Sequence, residues 1–203
     1  MCWSTEKIEI VMKSDQLMGH KHHLHCCLQR EVMQSLRPFS WPQVLHKAIK
    51  NPERRFYFWW RLASYWYQTG GKFSRKRALK INRRLRARYG LDIKLEAKIG
   101  AGMEIAHYVG IVISSRSVIG ENFHIKQNVT IGVKDREQTG RIYLGDNVSI
   151  GANSCVIGDD IRIGNNVHIG AMTFVNKDIP DNSIVYNKRS TTIVPMQEYL
   201  SKQ

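Results

Sequence analysis

The feature that most restricts what this chain can fold into is a six-residue recurrence of aliphatic side chains beginning near residue 91. Ile93, Ile99, Ile105 and Ile111 keep strict six-residue spacing. So do Ile119, Ile125 and Ile131, then Leu144 with Ile150, and Ile157 with Ile163 and Ile169, with short breaks between runs. Eight of these aliphatics are followed by glycine, from Ile99-Gly100 to Ile169-Gly170. This period predicts a left-handed parallel β-helix of hexapeptide repeats. Each coil is a triangle of three short strands, about 18 residues around, and each inward aliphatic stacks on its counterpart in the next coil. Glycine beside a corner gives the backbone room or a positive φ. Residues 133–141 interrupt the register and read as a loop thrown out of a corner. The fold class expected is mainly β, with a small α-helical region in front.

That front region differs in charge. Residues 1–90 hold 19 Lys/Arg against 5 Asp/Glu, whereas residues 91–203 hold 12 of each. The whole excess of +14 therefore sits in the first half. Residues 1–40 read as an irregular, solvated extension. They carry His20, His22, His23, His25, Cys26 and Cys27, whose spacing matches no zinc pattern, so no metal site is expected. Residues 41–90 read as basic, aromatic helices over 41–50, 53–67 and 73–89, with Ser74 as an N-cap and Gly90 as the stop. Nine Lys/Arg lie between Lys72 and Arg88. The mixture of cations and aromatics fits packing within a small helical region or an anionic membrane surface, and nucleic acid is not expected as a partner. Residues 91–190 are the β-helix and 191–203 a tail. No apolar run is long enough to span a bilayer. The start lacks the apolar core of a secretory signal, and the four cysteines form no disulfide framework. A cytoplasmic protein, at the inner face of the membrane, is expected.

Residues 91–132, and within them Ala106-His107-Tyr108-Val109-Gly110-Ile111-Val112-Ile113-Ser114 and Asn128-Val129-Thr130-Ile131-Gly132, are similar to serine acetyltransferases. In implied function they resemble more the polysaccharide branch, the colanic-acid and capsule O-acetyltransferases. The resemblance implies acetyl-CoA as co-substrate, a homotrimer with the site between subunits, and His107 as general base with Asp92 as its partner. An alcohol is too weak an acid to attack a thioester unaided, and imidazole can take its proton near neutral pH. An aspartate would hold the ring's tautomer and stabilise the imidazolium.

The resemblance further places coenzyme contacts at Gly132, Gly151, Ala152, Gly170 and Ala171, and charge and location add Lys177, Lys188 and Arg189 for its phosphates. The acceptor is where the chain departs from serine acetyltransferases. Ala106 stands where they carry the Asp that meets the serine ammonium. Gly140-Arg141-Ile142-Tyr143 stands where they carry an R-H-P-K stretch. Buried charges need partners, so the expected acceptor is a sugar hydroxyl, with Tyr108 stacking on the ring and Arg141 beside it. Serine O-acetylation is the alternative within enzymes. An inactive β-helix scaffold of polysaccharide assembly is the alternative outside them.

Overall fold

A computed structural model describes residues 19–134, 140–188 and 195–196. From residue 92 onward the chain winds into fourteen short strands, β1 (Asp92–Ile93) to β14 (Ile184–Val185). All of their pairings are parallel, in three sheets ordered β1-β4-β7-β10-β13, β2-β5-β8-β11 and β3-β6-β9-β12-β14. Consecutive strands fall on successive faces and every third strand stacks on the first as far as β13; the second face then carries the bridge Ile163–Ile179, so that β14 stacks on β12, and the whole is a left-handed parallel β-helix. This is an exception to the right-handed crossover found in most parallel sheets.

The inward columns follow the sequence period, with two corrections. On the first face Ile93 pairs with Ile113, not Ile111. Two extra residues are taken up at the corner after β3 (Glu104–Ala106), the corner that contains His107. Farther on, Val156 rather than Ile157 points inward and pairs with Ile131. The glycines after the aliphatics supply room rather than positive φ. A Cβ on Gly100 would lie 2.5 Å from Gly120 O, and one on Gly151 would lie 2.4 Å from Ala171 N. Left-handed backbone at the corners is carried mainly by asparagine. Asn122, Asn147, Asn166 and Asn182 all have φ between 54° and 57°. Their side-chain amides form a ladder from coil to coil at 2.8–2.9 Å. Asparagine tolerates this region better than most residues. Of the loop at residues 133–141, positions 135–139 lie outside the described residues.

The helical region closes the open end of this prism. It comprises α1 (His20–Leu28), a π-helical turn (Gln29–Met33), α2 (Trp41–Lys50), α3 (Pro52–Thr69) and α4 (Lys72–Tyr89). The irregular extension expected over residues 1–40 is corrected over residues 20–33, where Leu24, Cys27, Leu28, Glu31 and Val32 recur at helical spacing and are buried,; residues 34–40 are irregular. Residues 1–18 lie outside the description. Ser74 is not the N-cap of α4; Gly71 is. Gly90 ends α4 with φ 68°, as expected,.

An exposed first coil would leave unpaired strand groups at its edge. The helices satisfy them. Trp60 Nε1 and Asn82 Nδ2 donate to Ile93 O at 3.4 and 3.2 Å. Ser64 Oγ donates to Leu95 O at 3.1 Å, and Ile105 N donates to Tyr57 Oη at 2.8 Å. At the centre lies a buried ion pair. Arg61 Nε and Nη2 donate to the two carboxylate oxygens of Glu31 at 2.8 and 2.6 Å. The same guanidinium reaches Ile99 O and Gly100 O, and Glu31 Oε1 also accepts from Gly102 N and Met103 N. Burial disfavours charge on Arg61, while Cys27 and Glu31 act to raise its pKa, and the net direction is up. Burial also pushes the Cys27 thiol up to about 12. The thiol is therefore neutral at pH 7, and Glu31 supplies the counter-charge.

Candidate active site

His107 occupies the enlarged corner after β3. It is exposed and its backbone is left-handed, φ 65°. Such a conformation in a non-glycine residue costs energy and concentrates at functional positions. Two contacts fix this corner. Gly110 N donates to Gly90 O at 2.8 Å. Tyr108, next in chain to His107, turns into an aromatic cluster with Phe56, Tyr57 and Tyr89, at ring-centroid distances of 5.2, 6.5 and 5.1 Å. Its hydroxyl donates to Glu53 O at 2.9 Å, and burial holds its pKa above the ordinary tyrosine value. This corrects the expectation that Tyr108 stacks on a sugar: three protein rings already surround it, and it pins the corner to α3 and α4.

Asp92 begins β1, one coil before the strand that follows the same corner and on its helix side, its N–H donating to Ile111 O at 2.7 Å. The pair is thus brought to one corner, but no hydrogen bond joins the two side chains among the described residues. Asp92 Oδ2 instead takes Arg86 at 3.2 Å and Lys94 at 3.1 Å. Its Oδ1 is buried and has no hydrogen-bond partner. A buried acceptor without a donor is uncommon in folded proteins, and it lies on the rung adjoining an imidazole that can donate.

The remaining candidates separate onto two edges of the prism. Gly151 and Ala152 follow β9 (Ser149–Ile150), and Gly170 and Ala171 follow β12 (His168–Ile169). Both strands stack below β3 through β6 (His124–Lys126), so these small residues continue the His107 edge downward. Met172 N donates to Ala152 O at 2.8 Å, joining the two rungs. Exposed Lys188 follows β14 at the foot of this edge. Gly132, Arg141 and Lys177 lie at the corner between the first and second faces, at the end of β7 (Thr130–Gly132), before β8 (Ile142–Leu144) and after β13 (Phe174–Val175). Arg141 is exposed, and its backbone N–H donates to Asp160 Oδ1 at 3.1 Å. Arg189 lies outside the described residues. Ala152 and Gly170 are half-buried and Ala171 exposed, whereas Gly151 is buried under the next coil, so the edge presents small residues with a lysine at one end, which suits a long chain ending in phosphates.

Residue-level reading missed the cavity beside the corner. A volume of about 290 Å³ is lined by Arg30, Glu53, Arg54, Glu104 and Tyr108, among others. Glu53 opens α3, and Glu104 faces outward from β3, two residues before Ala106. Arg30 is tied to Glu121 at 2.6 Å, and Arg54 to Gln34 at 2.6 Å. Alternation along β3 could have shown Glu104 sharing a face with Ala106; nothing in sequence shows Glu53 meeting it. In the His-rich stretch, His22 lies 3.4 Å from Cys26 and His23 lies 3.5 Å from Cys27. No group of three metal-binding side chains converges among the described residues.

No family model matches the chain. Serine acetyltransferase 2 of Arabidopsis thaliana is 31% identical over 122 residues, covering 60% of this chain and 38% of that protein. The structure of serine acetyltransferase isoform 3 of Entamoeba histolytica, in complex with cysteine, matches with a TM-score of 0.67 at 23% identity. It covers 95% of this chain and 67% of that one. Serine acetyltransferase 1 of the same organism, in complex with L-cysteine, gives 0.64 at 26% identity over 85% of this chain and 65% of that one. The chain spans 24%, 38% and 30% of the length of three Arabidopsis serine acetyltransferases that it resembles. The relatives are serine acetyltransferases, and none of these likenesses supports the expected polysaccharide branch.

Proposed function

We propose that the chain is an acetyl-CoA-dependent O-acetyltransferase, and that its acceptor is the hydroxyl of L-serine. The observation that carries the chemistry is His107, exposed and left-handed at the head of an edge of small residues. Acetyl-CoA supplies the acetyl group as a thioester. His107 takes the proton from the acceptor hydroxyl as that oxygen bonds to the acetyl carbon, and the proton then leaves with the thiol. Asp92 Oδ1 accepts a hydrogen bond from the imidazole once the ring turns toward it, which holds the tautomer. Gly151, Ala152, Gly170 and Ala171 contact the pantetheine arm, and Lys188 the phosphates.

The edge bearing His107 and the edge bearing Gly132, Arg141 and Lys177 are different corners of one prism. They can face each other only between copies, which supports a homotrimer with the site at each subunit boundary.

Serine is supported by the relatives and by the cavity: Glu53 and Glu104 are carboxylates beside the His107 corner that can receive an ammonium group,. A sugar hydroxyl is the second reading, favoured by Ala106, which offers no charge where β3 faces outward. Thiol release from acetyl-CoA, measured with L-serine and with a panel of sugars, separates them. Turnover with L-serine that disappears in Glu104→Gln and His107→Ala is expected. Turnover with sugars alone overturns the serine acceptor. No turnover with either acceptor class leaves a scaffold.

A further inference from the structure

We infer that the outward face of α4 is a docking surface for anionic lipid bilayers. The inference is independent of the proposed reaction. α4 packs Ala78, Asn82 and Leu85 inward. At 100° per residue the opposite half holds positions 72, 73, 76, 77, 80, 83, 84 and 87, all exposed; Ala87 is small and Arg77 is stacked on rings, which leaves six. Five of them are cations, Lys72, Lys76, Lys80, Arg83 and Arg84, and none has an ion-pair or hydrogen-bond partner among the described residues. The helix contains no acidic residue. The sixth is Phe73, 72% exposed, and Leu79 on the flank is 50% exposed. The other basic residues of the helix are occupied: Arg75 over Tyr67, Arg77 over Trp66 and Phe73, Arg86 on Asp92 and Arg88 over Tyr89.

Three physical points choose the occupant. Unpaired like charges on one ridge repel a second copy of themselves, so the face does not suit a symmetric contact with another α4. The ridge is convex and about 27 Å long, with no groove to track a single strand. It combines a cationic row with an exposed aromatic and an exposed aliphatic side chain, the composition of helices that lie in a bilayer interface. Each lysine or arginine close to an anionic leaflet strengthens partition about fivefold.

The test is co-sedimentation of the full chain with vesicles of phosphatidylcholine alone or with 30% phosphatidylglycerol (about a third anionic lipid, for a surface of strong negative potential). Binding is expected to anionic vesicles only, and to fall as salt rises. The variant Lys76→Gln/Lys80→Gln/Arg83→Gln/Arg84→Gln is expected to bind about 10²-fold more weakly or worse, with its circular dichroism and acetyltransferase turnover unchanged. Phe73→Ser is expected to weaken binding severalfold while leaving the salt dependence intact. Equal binding of the fourfold variant and the parent, or no binding to anionic vesicles at low salt, overturns the inference. A parent that ignores vesicles but binds duplex or single-stranded DNA with a steep salt slope reassigns the face to nucleic acid.

Discussion

Replacing Glu31 by alanine should unseat the helical region from the end of the prism. The carboxylate is buried, its side chain 1% exposed, against an Arg61 side chain that is 5% exposed. Its loss leaves the guanidinium with Ile99 O and Gly100 O as hydrogen-bond acceptors and the Trp60 ring beside it, but with no counter-charge among the described residues. Breaking a buried ion pair from one side costs about 3–5 kcal/mol, because the remaining charge is uncompensated. Gly102 N–H and Met103 N–H lose an acceptor at the same time, so about 3 kcal/mol is a floor. For a chain of this length that corresponds to a fall in Tm of about 6–12 °C. Urea and thermal unfolding, followed by far-ultraviolet circular dichroism at fixed protein concentration, measure it. The companion Glu31→Leu/Arg61→Met removes both charges at similar volume and is expected to recover the ion-pair part of the loss, staying about 1–3 kcal/mol below the parent because Gly102 N–H and Met103 N–H still lack their acceptor,. A Glu31→Ala loss below about 1 kcal/mol would refute the clamp. So would a double variant less stable than Glu31→Ala alone.

Four further outcomes follow from the same geometry. His107→Ala should lower turnover by about 10²-fold or more while the Tm stays within a degree or two; an unchanged rate removes the general base. Tyr108→Phe should cost about 1 kcal/mol for the lost bond to Glu53 O, and leave KM for the acceptor unaltered, since the ring is part of the packing; a large rise in KM would restore it to the substrate site. Gly151→Val should cost about 3 kcal/mol or abolish soluble expression, because its Cβ lies 2.4 Å from Ala171 N,; a stable variant would show that the coils can separate. Burial pushes Tyr57 up to about 12, against about 10 in an unfolded chain. Between those values the unfolded chain loses its proton and the folded chain keeps it, so stability falls as pH rises, by about 2–3 kcal/mol across the window. Urea midpoints at pH 9 and 11.5 should show this decline, reduced in Tyr57→Phe; a flat profile in the parent contradicts it.

The β-helix was legible in the sequence because its period is local: one inward aliphatic every six residues writes the coil directly into the chain. His107 was singled out for a related reason, since its flanking residues resemble those of serine acetyltransferases, and its place at a corner follows from the same period. The helix over His20–Leu28 was also written there, in the spacing of Leu24, Cys27, Leu28, Glu31 and Val32, though the histidines between them obscured it.

Other features depend on contacts far apart in sequence, and only the tertiary structure decided them. The insertion that puts Ile113, and not the equally buried Ile111, on the rung of Ile93 is visible only once β1 and β4 pair. Tyr108 could stack on a ligand or on its own protein until Phe56, Tyr57 and Tyr89 were seen around it. Glu53 and Glu104 line one cavity between helices and coils, and Glu31 meets Arg61 at the same interface, which no sequence period encodes. A repeat specifies how each residue sits on its own coil; what closes the end of the stack, and what gathers beside His107, follows from how two differently patterned halves pack together.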